Sequence, residues 1–517
     1  MAKPDDTDNQ SEVSQVILEK QQALQHLHSN ELARANYLLE KICSEHPEDH
    51  ESWLFRGIVA NRCGHRDAAV ALFHRALTLK PDYPEAHQNL TYTLLAGSRH
   101  HELIEAARNA LRYSPEDAEL HSKLAIGLER THQLEEAMDA AEKTLRIAPG
   151  HARAIVTLAK IEKQTGNLNK ARERLEILQY TKLAPHQMCA VLGELGDVLD
   201  RLGDHTSAYY AFHSSNKAML QMINPEQNPS TTIFDTISNY RKVFTADFIC
   251  NWIATGPDIG APSPIFLVGF PRSGTTLTEQ IIIASGNIAP TDEEPIIYRL
   301  IKEIPIVLGR SFSYPEDLAG LSPEELATLR VHYWVLACKM VNAEIGNKRL
   351  LDKLPLNLIE VGFISRLFPD SPLVVVLRDP RDCCLSCYMR AFAPNQAMVN
   401  FSTIEDAARF YSAVMDYWLQ IRPLLSIKYL EVHYEDLVYD LEGSTRTLIE
   451  HIGGEWNDSV LRFFEQSGKR TVRTPSYSDI SQPIFNRAVG RWRNYELHMK
   501  VALEILQPYV KEFGYDE

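Results

Sequence analysis

Long hydrophobic runs, surplus positive charge and patterned cysteines are all missing from this sequence. The longest apolar runs, PIFLVGF and SPLVVVL, have the length of buried strands and fall short of the roughly 18 to 20 residues that cross a membrane. The formal net charge is -15, from 53 basic and 68 acidic residues, which argues against a nucleic-acid coat. The 8 cysteines are scattered over 517 residues without the spacing of a disulfide framework. We therefore predict a cytoplasmic protein with neither membrane nor nucleic acid as a partner.

The composition is that of an ordinary globular protein of more than one domain. Hydrophobic residues make up 44% of the chain and charged residues 23%, shares that do not favour a disordered or fibrous class. The acidic, polar start MAKPDDTDNQSEVSQ leads us to expect no secretory signal. At roughly 100 to 200 residues per domain, a chain of this length should fold into two to four units.

The N-terminal part of the chain contains an internal repeat. Four prolines are spaced 34 residues apart, and a fifth follows after 36: Pro47, Pro81, Pro115, Pro149 and Pro185. Small residues such as Gly57 and Ala69 let two helices approach closely, and each proline ends the second helix of a pair. The pattern returns as LGELGDVLDRLGDHTSAYYAF, with Gly196, Ala208 and Phe212. Five or six helix pairs fit between about residues 16 and 217.

These units resemble the tetratricopeptide repeat over roughly the first two fifths of the chain. The alternative is an irregular helical domain whose prolines are in phase by chance. The resemblance implies an α-solenoid, and such a stack of helix pairs usually binds a protein or peptide.

The repeat period is lost between residues 218 and 262, which we predict to hold connecting helices and a linker. From residue 263 to 517, short apolar runs alternate with helical stretches, as in IFLVGF followed by TTLTEQIIIASG and LVVVLRD followed by PRDCCLSCYMRAF. This alternation predicts an α/β domain with a mainly parallel sheet covered on both faces.

The segment PIFLVGFPRSGTT resembles the start of a phosphate-binding loop but has no lysine. A strand that leads into a glycine turn and a helix turns backbone N–H groups toward an anion. A Walker loop carries a lysine after its second glycine, whereas here Gly274 is followed by Thr275 and Thr276. The donors offered instead are Arg272 and the hydroxyls of Ser273 and the two threonines, which suit a phosphate that carries one further group.

With this loop the sequence resembles the sulfotransferases that use 3'-phosphoadenosine 5'-phosphosulfate, particularly the protein-tyrosine sulfotransferase branch. The resemblance implies that Arg272, Ser273, Gly274, Thr275 and Thr276 hold the 5'-phosphosulfate. It also implies that Arg378 and Ser386, in VVVLRDPRDCCLSCYMR, hold the 3'-phosphate. Sulfuryl transfer leaves less charge to neutralise than phosphoryl transfer, so the loop lysine and a metal ion become dispensable.

The resemblance also assigns the catalytic groups. Glu293 corresponds to the general base that removes the acceptor proton, with Glu294 as its close rival and a solvated acidic turn as the alternative. Lys353 corresponds to the lysine at the bridging oxygen of the donor, although the next residue here is Leu354, where the tyrosine branch tends to an acidic residue. A lysine that merely ends a strand is the alternative there.

Further positions match donor contacts of the family. Arg390 lies one helical turn after Ser386 and is a candidate for the 3'-phosphate site, against an exposed helix arginine. Tyr434 resembles the tyrosine that contacts the donor nucleotide. Ser476 and Arg491, early and late in one long polar loop, match a serine and a basic residue that close over the donor. We expect the cysteines at 383, 384 and 387 to be core residues and predict no metal site.

The sequence thus predicts an enzyme that transfers a sulfuryl group from 3'-phosphoadenosine 5'-phosphosulfate to an acceptor hydroxyl. Glu293, Lys353 and Ser476 carry the catalysis in this interpretation. The acceptor is left open between protein tyrosine, glycan, lipid and small phenol, and the resemblance leaves a homodimer open. The alternatives are a degenerate phosphate-loop kinase or hydrolase, and a non-catalytic scaffold whose repeats bind partners.

Overall fold

The computed structural model describes residues 6–179, 181–223, 231–252, 258–341, 345–392, 395–464 and 487–515. By its contacts the chain divides into two compact units, Met1–Leu178 and Gln179–Glu517. The helices at Pro185–Arg201 and His205–Leu220 follow the repeat pattern in sequence but lie in the second unit. The predicted boundary at residue 217 stays a prediction.

The N-terminal unit is built from helices. In the described part of the chain they are α1 (Asp6–His28), α2 (Leu32–Glu45), α3 (His50–Arg62), α4 (Arg66–Leu79), α5 (Pro84–Ala96), α6 (His100–Leu111), α7 (Ala118–Arg130), α8 (Leu134–Ile147), α9 (Ala152–Gln164) and α10 (Leu168–Gln179). From α1 to α9 each helix packs against the next one. The spaced prolines follow the ends of α2, α4, α6 and α8, as the repeat predicts.

Glycine and phenylalanine fix the approach of the paired helices. A Cβ added at Gly57 of α3 would lie 2.5 Å from the ring of Phe73 in α4, so only glycine lets these helices come so close. Small residues such as Ala69 and Ala76 complete the same buried cluster. The repeat pattern therefore encodes packing, and the predicted succession of helix pairs is confirmed.

The helices of the C-terminal unit begin with the last repeat-like pair. Among its described residues they are α11 (Pro185–Arg201), α12 (His205–Leu220), α13 (Thr231–Val243), α14 (Ala246–Cys250), α15 (Thr275–Ala284), α16 (Ile296–Leu308), α17 (Pro323–Met340), α18 (Val361–Leu367), α19 (Pro380–Tyr388), α20 (Ile404–Ile421), α21 (Tyr434–Tyr439), α22 (Leu441–His451) and α23 (Glu496–Glu512). Short 3-10 helices lie at Glu316–Gly320, Pro355–Glu360, Met398–Phe401, Arg422–Leu424, Asp458–Arg462 and Arg491–Tyr495.

A parallel sheet forms the centre of this unit. Its strands are β1 (Ile265–Gly269), β2 (Ile288–Pro290), β3 (Arg349–Lys353), β4 (Leu373–Leu377) and β5 (Tyr429–His433), in the order β2-β3-β1-β4-β5. Every strand pair is parallel, and Leu267 of β1 lies opposite Lys353 on one side and Val374 on the other. Strands β1 and β4 are wholly buried, which their continuous apolar runs require. The predicted fold class, helical repeats followed by an α/β domain with a parallel sheet, is confirmed.

The strand order places the candidate residues at one edge. The chain leaves β1 toward β2 and β3 and later returns to β4 on the other side of β1, which makes the carboxyl end of β1 a switch point of the sheet. Ligands of open parallel sheets bind outside the carboxyl ends of the strands at such a point. The loop after β1, Lys353, Arg378 and Tyr434 all lie where a strand ends.

In the described parts of the chain, no helix is both long enough and apolar enough to cross a membrane.

Candidate functional site

The loop between β1 and α15 forms the floor of the site. Gly274 has φ 110°, a left-handed conformation that favours glycine, and a Cβ there would lie 2.6 Å from the ring of Tyr434. Helix α15 starts at the next residue, so its first backbone N–H groups and its positive end face the same space as the loop. Ser273 and Thr275 are buried beside it. This geometry suits an anion that approaches along the axis of α15.

The two predicted anion-binding segments meet directly. Arg272 donates from Nε to the Oγ of Ser386 on α19 over 3.1 Å. Arg378, at the end of β4, donates from Nη1 to the backbone oxygen of Arg272 over 3.1 Å. Residues that lie more than a hundred positions apart in the chain therefore form one cationic cluster.

Arg378 is the centre of that cluster. Its side chain is only 7% exposed, and its guanidinium carbon lies 4.9 Å from the ring centroid of Tyr434. Burial works against its charge, but the negative groups around it, first of all Asp382, raise its pKa above the usual value. Arg378 thus stays a cation in a buried position, as an anion-binding residue must.

Two polar atoms at the cluster lack a protein partner within the described residues. The Oγ of Ser273 and the Nε of Arg378 are both buried and make no hydrogen bond there. An unsatisfied buried donor costs about 1 to 3 kcal/mol, so a ligand that pairs with it is stabilised. One hydroxyl and one guanidinium N–H, together with the N-terminal end of α15, fit the oxygen atoms of a phosphate or sulfate group.

Lys353, at the end of β3, lies between two carboxylates. Its side chain is 0% exposed, and Nζ lies 2.5 Å from Oε1 of Glu293 and 3.3 Å from Oε2 of Glu279. Burial alone would lower the pKa of Lys353, but the two carboxylates outweigh it and raise that pKa above the usual value. The lysine is therefore charged, and its ammonium joins the predicted general base to a second, buried acid.

The turn that carries Glu293 is held in an unusual backbone conformation. Asp292 has φ 51° and Glu293 has φ 65°, both in the left-handed region that non-glycine residues rarely adopt. Such residues persist where the surroundings impose them, often at functional sites. Here the backbone nitrogen of Lys353 donates to Oγ1 of Thr291 over 3.1 Å, which ties the turn to β3. Glu294, the rival base, follows in the same turn and donates from its backbone nitrogen to the oxygen of Thr291.

The remaining predicted contacts are placed less directly. Arg390 donates to Oδ2 of Asp197 over 2.7 Å, and Arg491 forms two bonds with Asp200, 2.6 Å from Nη2 and 3.3 Å from Nε. The structure therefore joins both arginines to α11. Ser476 lies outside the described residues.

Two acids of the site were not singled out from the sequence. Glu279 lies in the otherwise apolar stretch TTLTEQIIIA of α15, and that lone charge on a buried face was the available signal. Burial raises the pKa of Glu279, although Lys353 opposes this effect. Asp382 accepts from the backbone nitrogens of Gly490, over 2.6 Å, and Trp492, over 2.9 Å. No sequence pattern linked it to a segment so far along the chain.

The three cysteines of α19 are core residues, as predicted. Cys383, Cys384 and Cys387 are 0% exposed, and burial raises the pKa of each thiol. Cys387 donates to the backbone oxygen of Pro271 over 3.2 Å, so it supports the loop from beneath. Among the described residues, no three His, Cys, Asp or Glu side chains are grouped so that they could hold a metal ion.

Parts of the chain are similar to known proteins. Residues 264–458 match the model of the sulfotransferase family. An uncharacterized protein of Aquifex aeolicus is 28% identical over 347 residues, which cover 65% of this chain and 44% of that protein. Protein-tyrosine sulfotransferase 1 of Danio rerio is 26% identical over 260 residues, which cover 49% of this chain and 72% of that protein. The crystal structure of PilW, a type IV pilus biogenesis factor, is 21% identical with a TM-score of 0.33 and covers 38% of this chain and 90% of its own.

The chain spans less than half the length of the Aquifex protein. The predicted resemblance to sulfotransferases is confirmed by the family match and by homologues that include protein-tyrosine sulfotransferases.

Proposed function

We propose that the C-terminal domain transfers a sulfuryl group from 3'-phosphoadenosine 5'-phosphosulfate to an acceptor hydroxyl. The observation that carries this proposal is the contact between the loop after β1 and the segment after β4. Arg272 contacts Ser386, and Arg378 contacts Arg272. A donor with negative groups at both its 5' and 3' ends needs two anion sites side by side, whereas ATP and GTP carry no 3'-phosphate.

The residues at hand fit such a donor, which would supply the activated sulfuryl group. Arg272 to Thr276 would hold its 5' end, and Arg378 with Ser386 its 3'-phosphate. Tyr434, whose ring lies beneath Arg378 and leaves no room for a Cβ at Gly274, would contact the nucleotide. The unpartnered atoms of Ser273 and Arg378 are the donors that this ligand would satisfy.

Glu293 is assigned to the acceptor hydroxyl and Lys353 to the leaving group. Glu293 is half-buried and takes the proton of the acceptor hydroxyl when it parts from Lys353. Lys353, held charged in the site, stabilises the oxygen that leaves with negative charge. Ser476 and Arg491 complete the site in the family, and their part here remains a prediction.

We place a tyrosine-containing peptide first among the acceptors, because several relatives are named protein-tyrosine sulfotransferases. The N-terminal repeats are proposed to bind protein or peptide. The cytoplasmic location and the homodimer remain predictions from the sequence.

The direct test is transfer of labelled sulfate to peptide, sugar and phenol acceptors, together with binding of adenosine 3',5'-bisphosphate and ATP. Arg378→Ala should weaken the bisphosphate by about 10-fold or more, because a charged hydrogen bond to the 3'-phosphate is lost, and leave ATP binding nearly unchanged. Arg446→Ala is the control, since its ion pair with Glu442 is exposed on α22. Equal losses for both nucleotides, or magnesium-dependent hydrolysis of ATP without sulfuryl transfer, would favour the kinase or hydrolase alternative. Binding without any transfer would favour the scaffold.

A further inference from the structure

The last repeat-like helix pair is built into the unit that contains the sheet. Asn216 of α12, which is 2% exposed, donates to the backbone oxygen of Tyr388 at the end of α19 over 2.9 Å. Tyr388 in turn donates from its hydroxyl to the backbone oxygen of Tyr209 over 3.3 Å. The ring of Tyr209 stacks on His498 of α23, with ring centroids 4.1 Å apart. Helix α12 is thus anchored to α19, the helix that carries Ser386, and to α23.

Two aspartates of α11 face those elements. Asp197 and Asp200 are three residues apart, so they lie on one side of the helix. Asp197 pairs with Arg390, at 2.7 Å, two residues after the end of α19. Asp200 pairs with Arg491, at 2.6 Å, and also accepts from the hydroxyl of Tyr495 over 2.6 Å. The side chains of the two aspartates are only 10% and 13% exposed, so water screens these ion pairs little.

The contact with Asp200 fixes Arg491 without using all of its donors. A guanidinium offers five N–H groups in one plane. Arg491 contacts Asp200 through Nε and Nη2, so these bonds leave Nη1 for a further acceptor, while the carboxylate on one side sets the orientation of that plane. An arginine held in this way loses less conformational freedom when it binds a phosphate than one that moves freely in solvent.

We propose that Asp197 and Asp200 are positioning residues of the donor site, which hold Arg390 and Arg491 toward the phosphate groups of the donor. The inference rests on the proposed function, because it takes both arginines as donor contacts. It extends that function by making a helix pair with the repeat pattern a required part of the sulfotransferase site. The helix pair then has two roles: its apolar side packs as the repeat pattern predicts, and its polar side orients the arginines that bind the nucleotide.

The test uses the full chain and adenosine 3',5'-bisphosphate as the probe, with the dissociation constant measured by calorimetry. Asp197→Asn and Asp200→Asn keep the shape of the side chain but remove its charge, and each should raise the constant by about fivefold or more. Glu442→Gln removes an exposed partner of Arg446 in the same unit and should leave the constant unchanged. Asn variants that bind as tightly as the wild type, or more tightly, would overturn the inference.

A double-mutant cycle separates positioning from a merely structural role. If Asp200 acts through Arg491, then Asp200→Asn should have less than about a twofold effect in an Arg491→Ala background. The inference would be overturned if Asp200→Asn lost the same affinity in both backgrounds. It would also be overturned if the loss of affinity merely accompanied a lower thermal midpoint of unfolding. Asp200→Glu, which keeps the charge, should bind the bisphosphate more tightly than Asp200→Asn does. A wild-type protein that binds no bisphosphate at all would overturn the proposed function itself, an outcome distinct from tight binding that the aspartates do not affect.

Discussion

The two compact units differ in how they shift the pKa of their carboxylates. In the helical N-terminal unit, cationic partners hold several acid pKa values below the usual value, at Glu19, Glu31, Asp49 and Glu119. In the C-terminal unit, burial raises the pKa of five acids, which are Glu279, Asp352, Glu360, Asp382 and Glu435. Acids on its surface, such as Glu303 and Glu325, follow the first pattern. Among the described carboxylates, those whose pKa is raised by burial lie in the sheet unit.

Two lysines make the contrast concrete, since each lies between two carboxylates. Lys20 contacts Asp49 at 2.8 Å and Glu51 at 2.9 Å, and its side chain is 17% exposed. Lys353 contacts Glu293 and Glu279 and is fully buried. A charge kept in a buried position costs solvation energy, so its presence calls for a reason other than stability. The buried Lys353 and its two carboxylates are therefore the part of the second unit where we expect its chemistry.

The largest difference in stability and activity should appear when each of these lysines is replaced with methionine. Lys353→Met leaves Glu279 buried without its cation, so the free energy of unfolding should fall by about 3 to 5 kcal/mol. Sulfuryl transfer should fall about 100- to 1,000-fold, because the leaving oxygen loses its cation. Lys20→Met should cost about 1 kcal/mol or less and leave transfer unchanged. Urea unfolding and transfer assays measure both, and equal effects of the two variants would contradict the contrast.

The glutamates after β2 test which acid of the second unit carries chemistry. Glu293→Gln should reduce transfer by about 100- to 10,000-fold, the usual contribution of a general base. Glu294→Gln, one residue further in the same turn, is the matched variant and should change transfer little. The measurement is the single-turnover rate with saturating donor and acceptor. Full activity of Glu293→Gln with loss in Glu294→Gln would move the base by one residue.

The pH dependence of stability should have opposite signs for Asp352 in the sheet unit and Glu119 in the helical unit. Burial raises the pKa of Asp352 to about 7 in the folded state, so the stability linked to this group is present below its usual pKa and is lost as the pH rises toward 7. Compared with Asp352→Asn, the wild type should therefore lose about 2 kcal/mol between pH 5 and 7.

Glu119 in the helical unit gives the opposite sign. The hydrogen bond with His151 and the charge of Arg153 lower its pKa to about 2. Its contribution is therefore present above its usual pKa and is lost as the pH falls toward 2. Glu119→Gln should flatten the acid side of the unfolding profile, and the same sign in both variants would contradict this prediction.

The smallest effects should come from two glycines with the same local geometry. A Cβ at Gly57 would lie 2.5 Å from the ring of Phe73, and one at Gly196 would lie 2.5 Å from the ring of Phe212. Each Gly→Ala change should cost about 1 to 2 kcal/mol, because the clash exceeds the gain in helix propensity. Only Gly196→Ala should also weaken binding of adenosine 3',5'-bisphosphate, since it precedes Asp197 on α11. Equal nucleotide affinity in both variants would argue that the two helix pairs serve the same purpose.

Much of the fold was predictable because its signals are local. The spaced prolines and small residues predicted helix pairs, and the runs IFLVGF and LVVVLRD predicted the buried strands β1 and β4. Strand β2, which has three residues, has too short a pattern to stand out. The order β2-β3-β1-β4-β5 was not predictable in detail, because register and neighbour choice depend on contacts between distant segments.

The candidate site divides in the same way. The order of residues along the chain shows which of them follow the strands, and so which could meet at the carboxyl edge of a parallel sheet: the loop after β1, Glu293, Lys353, Arg378 and Tyr434. Packing between distant segments sets the remaining contacts, in which Arg272 reaches Ser386, Glu279 shares Lys353, and Asp197 and Asp200 pair with Arg390 and Arg491. The reason is physical: a strand or helix end is fixed by local backbone geometry, whereas the partner of a buried charge is fixed by the packing that brings distant segments together.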